Sequence, residues 1–297
     1  MKTASFVHLH VHSEYSLLES AARIWPLVHR AKELGMEALA VTDSSAMYGA
    51  IPFYKACKAE GIKPILGTQL QIKNETKEDG QVHGQKGFSL ILLAETLEGY
   101  RNIMRLLSRA HAEGVYHPVL AKEALHGCTE GIIALSGAQD GEIGSLLRAG
   151  KMDKAKEVAE EYRALFGSEH FFLEIQDHLL EEQRLVNQRT VDLSRATGIP
   201  LVATNNVRYL REEDADILDI LLCIGEGKKI DDTERAYQTK EYYLKSAEEM
   251  SERFIFLPEA IENTVRIARR CQVELPLGET ILPRFPLPDG QTAEEYL

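Results

Sequence analysis

The stretch "FVHLHVHSEYSLLES", from Phe6 to Ser20, places histidines at every second position. Side chains alternate between the two faces of a β-strand, so His8, His10 and His12 are expected to share one face of a strand. Histidines in register on one strand can bind the same zinc, manganese or iron ion. The alternative is a cluster of hydrogen-bonded histidines at a strand end. Three histidines followed by Glu19 favour a metal site, or a site descended from one.

The composition is that of a globular protein, with 44% hydrophobic and 27% charged residues among 297. The formal net charge is −12, whereas binding to a nucleic-acid backbone depends on lysine and arginine. We therefore do not expect this chain to form the main DNA-binding surface of a protein. It could still belong to a larger enzyme that acts on DNA.

Four cysteines, Cys57, Cys128, Cys223 and Cys271, lie far apart and form no CxxC pair. This spacing indicates reduced thiols rather than a zinc ribbon or a disulfide frame. The sequence contains no apolar leader and no apolar run of membrane-spanning length. We therefore expect a protein of the cytoplasm that makes no contact with a membrane.

Short apolar runs alternate with amphipathic helical patterns, several of which end at a glycine. Seven runs are predicted as strands: Phe6–His12, Ala38–Thr42, Pro64–Leu70, Ser89–Ala94, Ile132–Leu135, Phe171–Ile175 and Leu201–Thr204. Repeated strand–helix units with short connections favour parallel strands covered by helices. We predict an α/β fold in which seven strands form a closed barrel. An open doubly wound sheet is the alternative.

A barrel gathers its functional groups at the carboxyl ends of its strands. His10 and His12 lie at the end of the first predicted strand, Asp43 and Ser44 follow the second, and Gln69 ends the third. The polar residues therefore lie where chemistry is expected in such a fold.

Three further helical patterns follow the barrel, at Asp214–Ile224, Ser246–Phe254 and Pro258–Cys271. The last stretch, "LPLGETILPRFPLPDGQTAEEYL", contains four prolines and is typical of a linker that leads into another helix. We expect residues 1–275 to form a barrel domain with appended helices. Residues 276–297 are expected to form a linker and the truncated start of a next domain.

Several stretches together carry a family likeness: "FVHLHVHSEYSLLES", "ALAVTDSSAMYGAIPFYKACKAEGIKPILG", "ILLAETLEGYRNIMRLLS", "PLVATNNVRYL", "LLCIGEGKKIDD" and "YYLKSAEEM". They resemble the N-terminal region of bacterial DNA polymerase III alpha subunits, above all the type found in low-GC Gram-positive bacteria. That region is a PHP (polymerase and histidinol phosphatase) domain. The resemblance implies a distorted seven-stranded PHP barrel, which agrees with the strand count, and a polymerase domain after the linker.

Active PHP domains bind up to three metal ions and hydrolyse phosphoesters, and in some polymerases they act as a proofreading 3′–5′ exonuclease. The resemblance assigns surviving metal-ligand positions to His10, His12 and Glu19. An active site would use His8, Asp43 and His178 as additional ligand candidates. For His178, a role in capping the following helix is favoured over a role as a ligand. Six of the nine ligand positions that the family pattern implies are changed in this sequence, and these are Ser44, Gln69, Ser89, Ala138, Asn206 and Arg208.

The chemistry of these substitutions argues against a metal cluster. Gln69 and Asn206 stand where the family has carboxylates, so negative charge that would balance divalent ions is lost. Arg208 adds a positive charge that persists at any working pH. Two-metal cleavage of a phosphoester needs two ions about 3.5–4 Å apart. We therefore expect no cofactor in this segment beyond one weakly held zinc or manganese ion, with Arg208 paired to Glu19 or Asp43.

Three functions remain open from the sequence. The first is a hydrolase-inactive scaffold in a DNA polymerase III alpha subunit, whose full-length chain would use magnesium for DNA-directed synthesis. The second is a metal-dependent phosphoesterase or 3′–5′ exonuclease. The third is a docking module for a separate exonuclease subunit. The implied partners are the palm and thumb of the same polymerase chain and, through it, DNA and replisome proteins.

Overall fold

The chain alternates short buried strands with amphipathic helices in a computed structural model that describes residues 5–73, 87–114, 118–230, 239–278, 287 and 290–296. The strands are β1 (Ala38–Ser44), β2 (Lys63–Ile72), β3 (Phe88–Ala94), β4 (Ile132–Leu135), β5 (Phe171–Gln176) and β6 (Leu201–Thr204). The helices are α1 (Ile24–Glu33), α2 (Ala50–Glu60), α3 (Leu97–Glu113), α4 (Glu142–Arg148), α5 (Met152–Phe166), α6 (Glu181–Thr197), α7 (Ala215–Glu226), α8 (Ala247–Arg253), α9 (Pro258–Arg270) and α10 (Ala293–Tyr296). The predicted α/β class is confirmed.

The six strands form one curled sheet in sequence order. The β1–β2, β4–β5 and β5–β6 pairs are parallel, as predicted. The prediction is wrong for β3, which is antiparallel to both β2 and β4. The sequence between β2 and β3 lacks the apolar stripe of a crossover helix, and β3 pairs back with Ile72 opposite Phe88. Ser89 at the start of β3 therefore lies at the same barrel end as the last residues of β2.

The first predicted strand, Phe6–His12, is extended and joins the two edges of this sheet. On one side, the carbonyl oxygens of His8 and Val11 accept hydrogen bonds from backbone N–H groups of β1. On the other side, Val11 bridges Val207, just beyond β6, in parallel fashion. This segment closes the curled sheet, which excludes the open doubly wound alternative. A bend at His10 interrupts its ladder, so it is not a regular strand.

The apolar residues of the barrel interior form a layer separate from those under the outer helices. Val7 and Leu9 pack inside with side chains such as Ile65 and Leu93. The interior is closed at one end by α9, which contributes Ile267, Ala268 and Cys271 to this layer. The opposite end of the interior holds the polar side chains described below.

Helix α9 is fixed against the barrel by charged groups as well as by its apolar face. Arg270 Nε donates to Glu95 Oε1 at 2.8 Å, and the other carboxylate oxygen of Glu95 faces His170 Nε2 at 2.9 Å. The Lys63 ammonium donates to the carbonyl oxygens of Ala268 and Arg269, which lie near the carboxyl end of the helix. A cation at this end of a helix stabilises it through the helix dipole.

The three helices predicted after the barrel are confirmed as α7, α8 and α9. Part of the predicted linker, residues 279–286 and 288–289, lies outside the described residues. None of the helices among the described residues is both long and apolar enough to cross a membrane.

Candidate functional site

His10 lies at the polar end of the barrel interior with partners on both ring nitrogens. Nδ1 is 2.8 Å from Glu174 Oε1, and Nε2 is 3.0 Å from Gln69 Oε1. The His12 ring approaches the same Nε2 atom, with Nε2–Nε2 at 3.2 Å. The Glu174 carboxylate only accepts hydrogen bonds, so His10 Nδ1 donates to it, and Gln69 Oε1 faces Nε2. A metal ion at His10 would bind at Nε2, where Gln69 and His12 now lie.

Glu174 is the central acceptor of this site, and its side chain is fully buried inside the barrel. Its Oε1 atom accepts hydrogen bonds from His10, from Gln176 Nε2 at 3.0 Å and from Thr204 Oγ1. Burial alone would raise the pKa of this carboxyl group, but the charge and hydrogen bond of His10, with those from Thr204 and Gln176, hold it below the ordinary value. Glu174 therefore binds as a carboxylate and joins the segment carrying His10 to β5 and β6.

His12 is held as a neutral ring by the hydroxyl groups around it. Its Nδ1 atom lies 2.9 Å from Ser16 Oγ, whose proton is donated to Asp43 Oδ1 at 2.7 Å. The ring therefore donates from Nδ1, and its Nε2 lone pair faces His10. Burial, followed by the positive charges of Arg208 and His10, lowers the pKa of His12 well below 6.5.

Asp43 anchors the loop after the first segment instead of facing the histidines. Its carboxylate accepts hydrogen bonds from the Ser13 N–H at 2.6 Å, from Ser13 Oγ at 2.7 Å and from Ser16 Oγ. Burial raises the pKa of this carboxyl group, although these hydrogen bonds oppose the shift. As a candidate ligand, Asp43 has its oxygens occupied by the loop that carries Glu19.

Glu19 is bound by two of the substituted residues. Ser44 Oγ donates to Glu19 Oε2 at 2.6 Å, and Arg208 Nη1 lies 3.5 Å from the same oxygen. Arg208 Nη1 also donates to the Glu19 backbone carbonyl at 2.9 Å. The expected pairing of Arg208 with Glu19 is therefore present. The guanidinium group is almost completely buried beside the histidines.

His8 does not share a face with His10 and His12, so the expectation of strict alternation is wrong. Leu9 packs inside the barrel, whereas Val11 belongs to the outer apolar layer, so the alternation changes phase at His10. The reason is the bend at His10, which turns its ring into the barrel interior. His8 donates instead from Nε2 to the Lys245 carbonyl at 2.8 Å.

His178 lies near α6 and is bound on every polar atom by neighbouring groups. Its Nε2 atom donates to the Asn205 carbonyl at 2.9 Å, and Nδ1 faces Gln183 Nε2 at 3.1 Å. Gln183 Oε1 also accepts from the His178 backbone N–H at 2.6 Å. Gln183, in the first turn of α6, thus reaches back to His178, and these contacts hold the ring in a structural position.

The remaining substituted positions also lie at this end of the barrel. Ser89 Oγ accepts from Gln71 Nε2 at 3.2 Å. Ala138 lies in a tight turn with a positive φ of 47°, and its methyl group offers no ligand. Asn206 is buried beside the His12 ring, with a φ of 46°.

These side chains do not fit a metal cluster. Within the described part of the chain, no group of three His, Cys, Asp or Glu side chains is arranged to hold a metal ion. His10 Nδ1 is bound to Glu174 and Nε2 faces Gln69, Asp43 accepts three hydrogen bonds from Ser13 and Ser16, and Glu19 is compensated by Arg208. A divalent ion would have to displace these hydrogen bonds and approach the buried guanidinium charge. The side chains form buried ion pairs and hydrogen bonds that connect the strand ends, but among the described residues they leave no open coordination position.

Sequence reasoning missed the residues that complete this network, which are Ser13, Ser16, Glu174, Gln176 and Thr204. The signal for Glu174 was present, because glutamate is rarely fully buried unless it is paired, and here it interrupts the apolar run "FFLEIQ".

Comparison with known proteins places the chain in a family. The PHP domain family matches residues 8–178, more than half of the chain. The DNA polymerase III subunit alpha of Treponema pallidum (strain Nichols) is 45% identical over 300 residues, which cover 100% of this chain and 26% of that protein. Its counterpart from Bacillus subtilis (strain 168) is 39% identical over 295 residues, covering 99% of this chain and 25% of that protein.

The chain spans about a quarter of the length of the curated relatives that it matches. The resemblance to alpha subunits of DNA polymerase III, that of Bacillus subtilis included, is confirmed. Among solved structures, an amidohydrolase from Chromobacterium violaceum with bound sulfate and no metal aligns with a TM-score of 0.45 at 14% identity, covering 67% of this chain and 85% of that one.

We expect Glu174→Gln to lower the free energy of unfolding by about 2–4 kcal/mol. The substitution removes one charge of the buried pair with His10, and the lost carboxylate also accepts hydrogen bonds from Gln176 and Thr204. Urea unfolding at neutral pH measures this loss. Glu169→Gln is the matched control, since Glu169 pairs with Arg266 and its side chain is 64% exposed. The control should change stability by less than about 1 kcal/mol. Equal effects of the two substitutions would contradict the central role of Glu174.

His178 should make the protein less stable in acid. Burial lowers the pKa of folded His178 from 6.5 to about 3, so between these values the unfolded chain binds a proton that the folded chain does not. The free energy of unfolding therefore falls as the pH is lowered from 6.5 towards 3, by up to about 1.4 kcal/mol per pH unit for this group. His178→Gln should flatten the pH dependence of urea unfolding in this range. The exposed-histidine control His29→Gln should leave it unchanged, and an unaltered slope in His178→Gln would show the assignment to be wrong.

Proposed function

This chain belongs to the PHP domain family, and we propose that it serves a replicative DNA polymerase III alpha subunit as a hydrolase-inactive scaffold and docking module. The observation that carries the proposal is the hydrogen-bonded state of the histidines. His10 Nδ1 is bound to Glu174 and its Nε2 to Gln69, while His12 completes the same chain of contacts. The expected metal-ligand atoms are thus used to hold the barrel together.

The charge distribution of the site supports the same proposal. Glu174 is compensated by His10, and Glu19 is compensated by Arg208. A phosphoesterase centre needs an excess of negative ligands to hold divalent ions close together. In the proposed scaffold these two glutamates have counter-charges, and Asp43 is bound by the neutral groups of Ser13 and Ser16.

The polymerase activity is proposed for the full-length protein and not for this segment. The relatives are about four times longer than the part that matches, so most of such a subunit lies outside this chain. In the proposed subunit the palm and thumb carry out magnesium-dependent DNA synthesis. The barrel supports them and contacts replisome proteins, including an exonuclease subunit.

One feature favours a second candidate, a metal-dependent phosphoesterase or 3′–5′ exonuclease. A histidine held by a buried carboxylate is also the arrangement that orients a metal ligand in many enzymes. Moreover, Glu174 Oε2 is buried and has no hydrogen-bond partner among the described residues. Displacement of Gln69 from His10 Nε2 would be required before that ring could bind a metal.

Metal content and hydrolysis separate the two candidates. Protein purified without chelator and soaked in manganese or zinc should hold well below one ion per chain by elemental analysis. It should not hydrolyse the 3′-terminal phosphodiester of a single-stranded oligonucleotide faster than His10→Ala does, because Gln69 and His12 occupy the space at His10 Nε2 where a metal ion would bind. Stoichiometric metal together with hydrolysis that His10→Ala abolishes would overturn the inactive assignment.

The scaffold role predicts that barrel stability limits the full-length enzyme. Leu66 in β2 is completely buried, so Leu66→Ala should cost about 2–5 kcal/mol of barrel stability and lower the melting temperature of the full-length polymerase. Synthesis at low temperature should be retained. Leu185→Ala, on the exposed side of α6, is the control and should change neither quantity. If Leu66→Ala leaves the melting temperature of the full-length enzyme unchanged, the proposed scaffold role is wrong.

A further inference from the structure

Helix α7 presents a row of isoleucines to solvent. Ile217, Ile220 and Ile224 are 49%, 51% and 63% exposed. Their spacing of three and then four residues places them on one side of the helix. We call these three residues the isoleucine face. Isolated apolar side chains are common on protein surfaces, but a row of three on one helix side is typical of an interaction surface.

The opposite side of α7 is fixed to the barrel by a small cluster. Ala215 and Leu218 are its only buried residues, and they pack with Tyr209 and Tyr242. The helix is thus attached to the described part of the barrel by its inner side, and the isoleucine face lies on the side that points away from this cluster.

The loop that carries Glu19 extends the apolar surface beside the helix. Leu18 lies against the carboxyl end of α7, with its side chain 3.5 Å from where a β-carbon on Gly225 would be. Leu18 is 40% exposed, and its neighbour Leu17 is 77% exposed. Leu18 has a φ of 62°, a conformation that is uncommon for a residue with a side chain. Two leucines are therefore held outwards next to the isoleucine face.

The charged residues of helix α7 itself are acidic. The sequence from Glu212 to Glu226, "EEDADILDILLCIGE", contains six acidic residues and no lysine or arginine. Asp216 lies 3.7 Å from Lys240 and Glu226 lies 2.9 Å from Lys228, but all four side chains are at least 39% exposed, so both pairs are weak. A second copy of this chain would bring acidic residues against acidic residues. A complementary partner has an apolar centre with lysine or arginine at its edge.

We propose that the isoleucine face docks against the remainder of the same polymerase polypeptide, on an apolar surface edged by lysine and arginine. This inference rests on the proposed function. The curated relatives extend over about four times the length matched here, so the polypeptide itself supplies most of the surface available to this helix. Docking through a rigid helix would connect the scaffold to the polymerase body without involving the histidine site.

Hydroxyl-radical footprinting of the full-length polymerase and of the 297-residue chain tests the proposal. Modification of the isoleucine face should be at least roughly fivefold slower in the full-length protein, because side chains in an interface core are shielded from solvent. Ile51 on α2 and Ile255 after α8 are exposed controls and should react equally in both proteins. In full-length Ile220→Asp, modification of Ile217 and Ile224 should return to the rate of the short chain. The matched control Ile51→Asp should leave them protected.

Equal modification of the isoleucine face in both proteins would overturn the inference. Protection that appears in the short chain as its concentration rises, together with a dimer mass by light scattering, would assign the surface to a second copy and also overturn it. Protection that requires an added replisome protein would assign it to a separate partner, with the same consequence. The proposed function fails independently, if the full-length protein does not extend a primed DNA template. A protein that extends primers but leaves the isoleucine face exposed refutes only the docking inference.

Discussion

The structure of the polar end of the barrel depends on one buried carboxylate, Glu174, which needs a counter-charge and hydrogen-bond donors. A charge inside a protein costs several kcal/mol unless a counter-charge and hydrogen bonds compensate it. Glu174 obtains these from His10 on the closing segment, from Gln176 on its own strand and from Thr204 on β6. The closing segment is irregular and has few ladder hydrogen bonds, so this cross-link supplies much of what a regular strand would obtain from its neighbours.

A second cross-link fixes the loop that follows the closing segment. Asp43, on β1, accepts hydrogen bonds from Ser13 and Ser16, and Ser16 in turn contacts the His12 ring. A metal cluster would join the same strand ends through coordination bonds. Here hydroxyl and imidazole groups join them, with every carboxylate bound to at least one donor. Metal coordination and this hydrogen-bond network exclude each other, since a ring nitrogen or carboxylate oxygen that takes part in one is not free for the other.

Much of the fold could be predicted from the sequence because its signals are local. Strands such as Ile132–Leu135 and Leu201–Thr204 were predicted with the observed bounds, since a short apolar run between turn signals needs no further context. The direction of β3 could not be read in the same way, because it depends on which neighbour the strand meets. The role of His8 was predicted wrongly for a related reason. A period of two assumes a constant phase, and one bend at His10 reverses the assignment of every later residue.

The candidate site shows the same limit at the level of chemistry. The sequence located His10, His12, Glu19 and Arg208 at one end of a barrel and left Glu19 and Asp43 as alternative partners of Arg208, of which the structure shows Glu19. It could not pair Glu174 with His10, because the closure of the barrel, and not spacing along the chain, determines the partner of a buried charge. Three of the six substituted residues have a common property that becomes visible only in three dimensions. Gln69 contacts His10, Ser44 donates to Glu19, and Arg208 binds the same glutamate. Each is therefore satisfied by another member of the network, so restoring a single family ligand would leave its present partner without a hydrogen bond or counter-charge. Such mutual dependence is what selection for folding would maintain in a barrel whose proposed role is to support a polymerase.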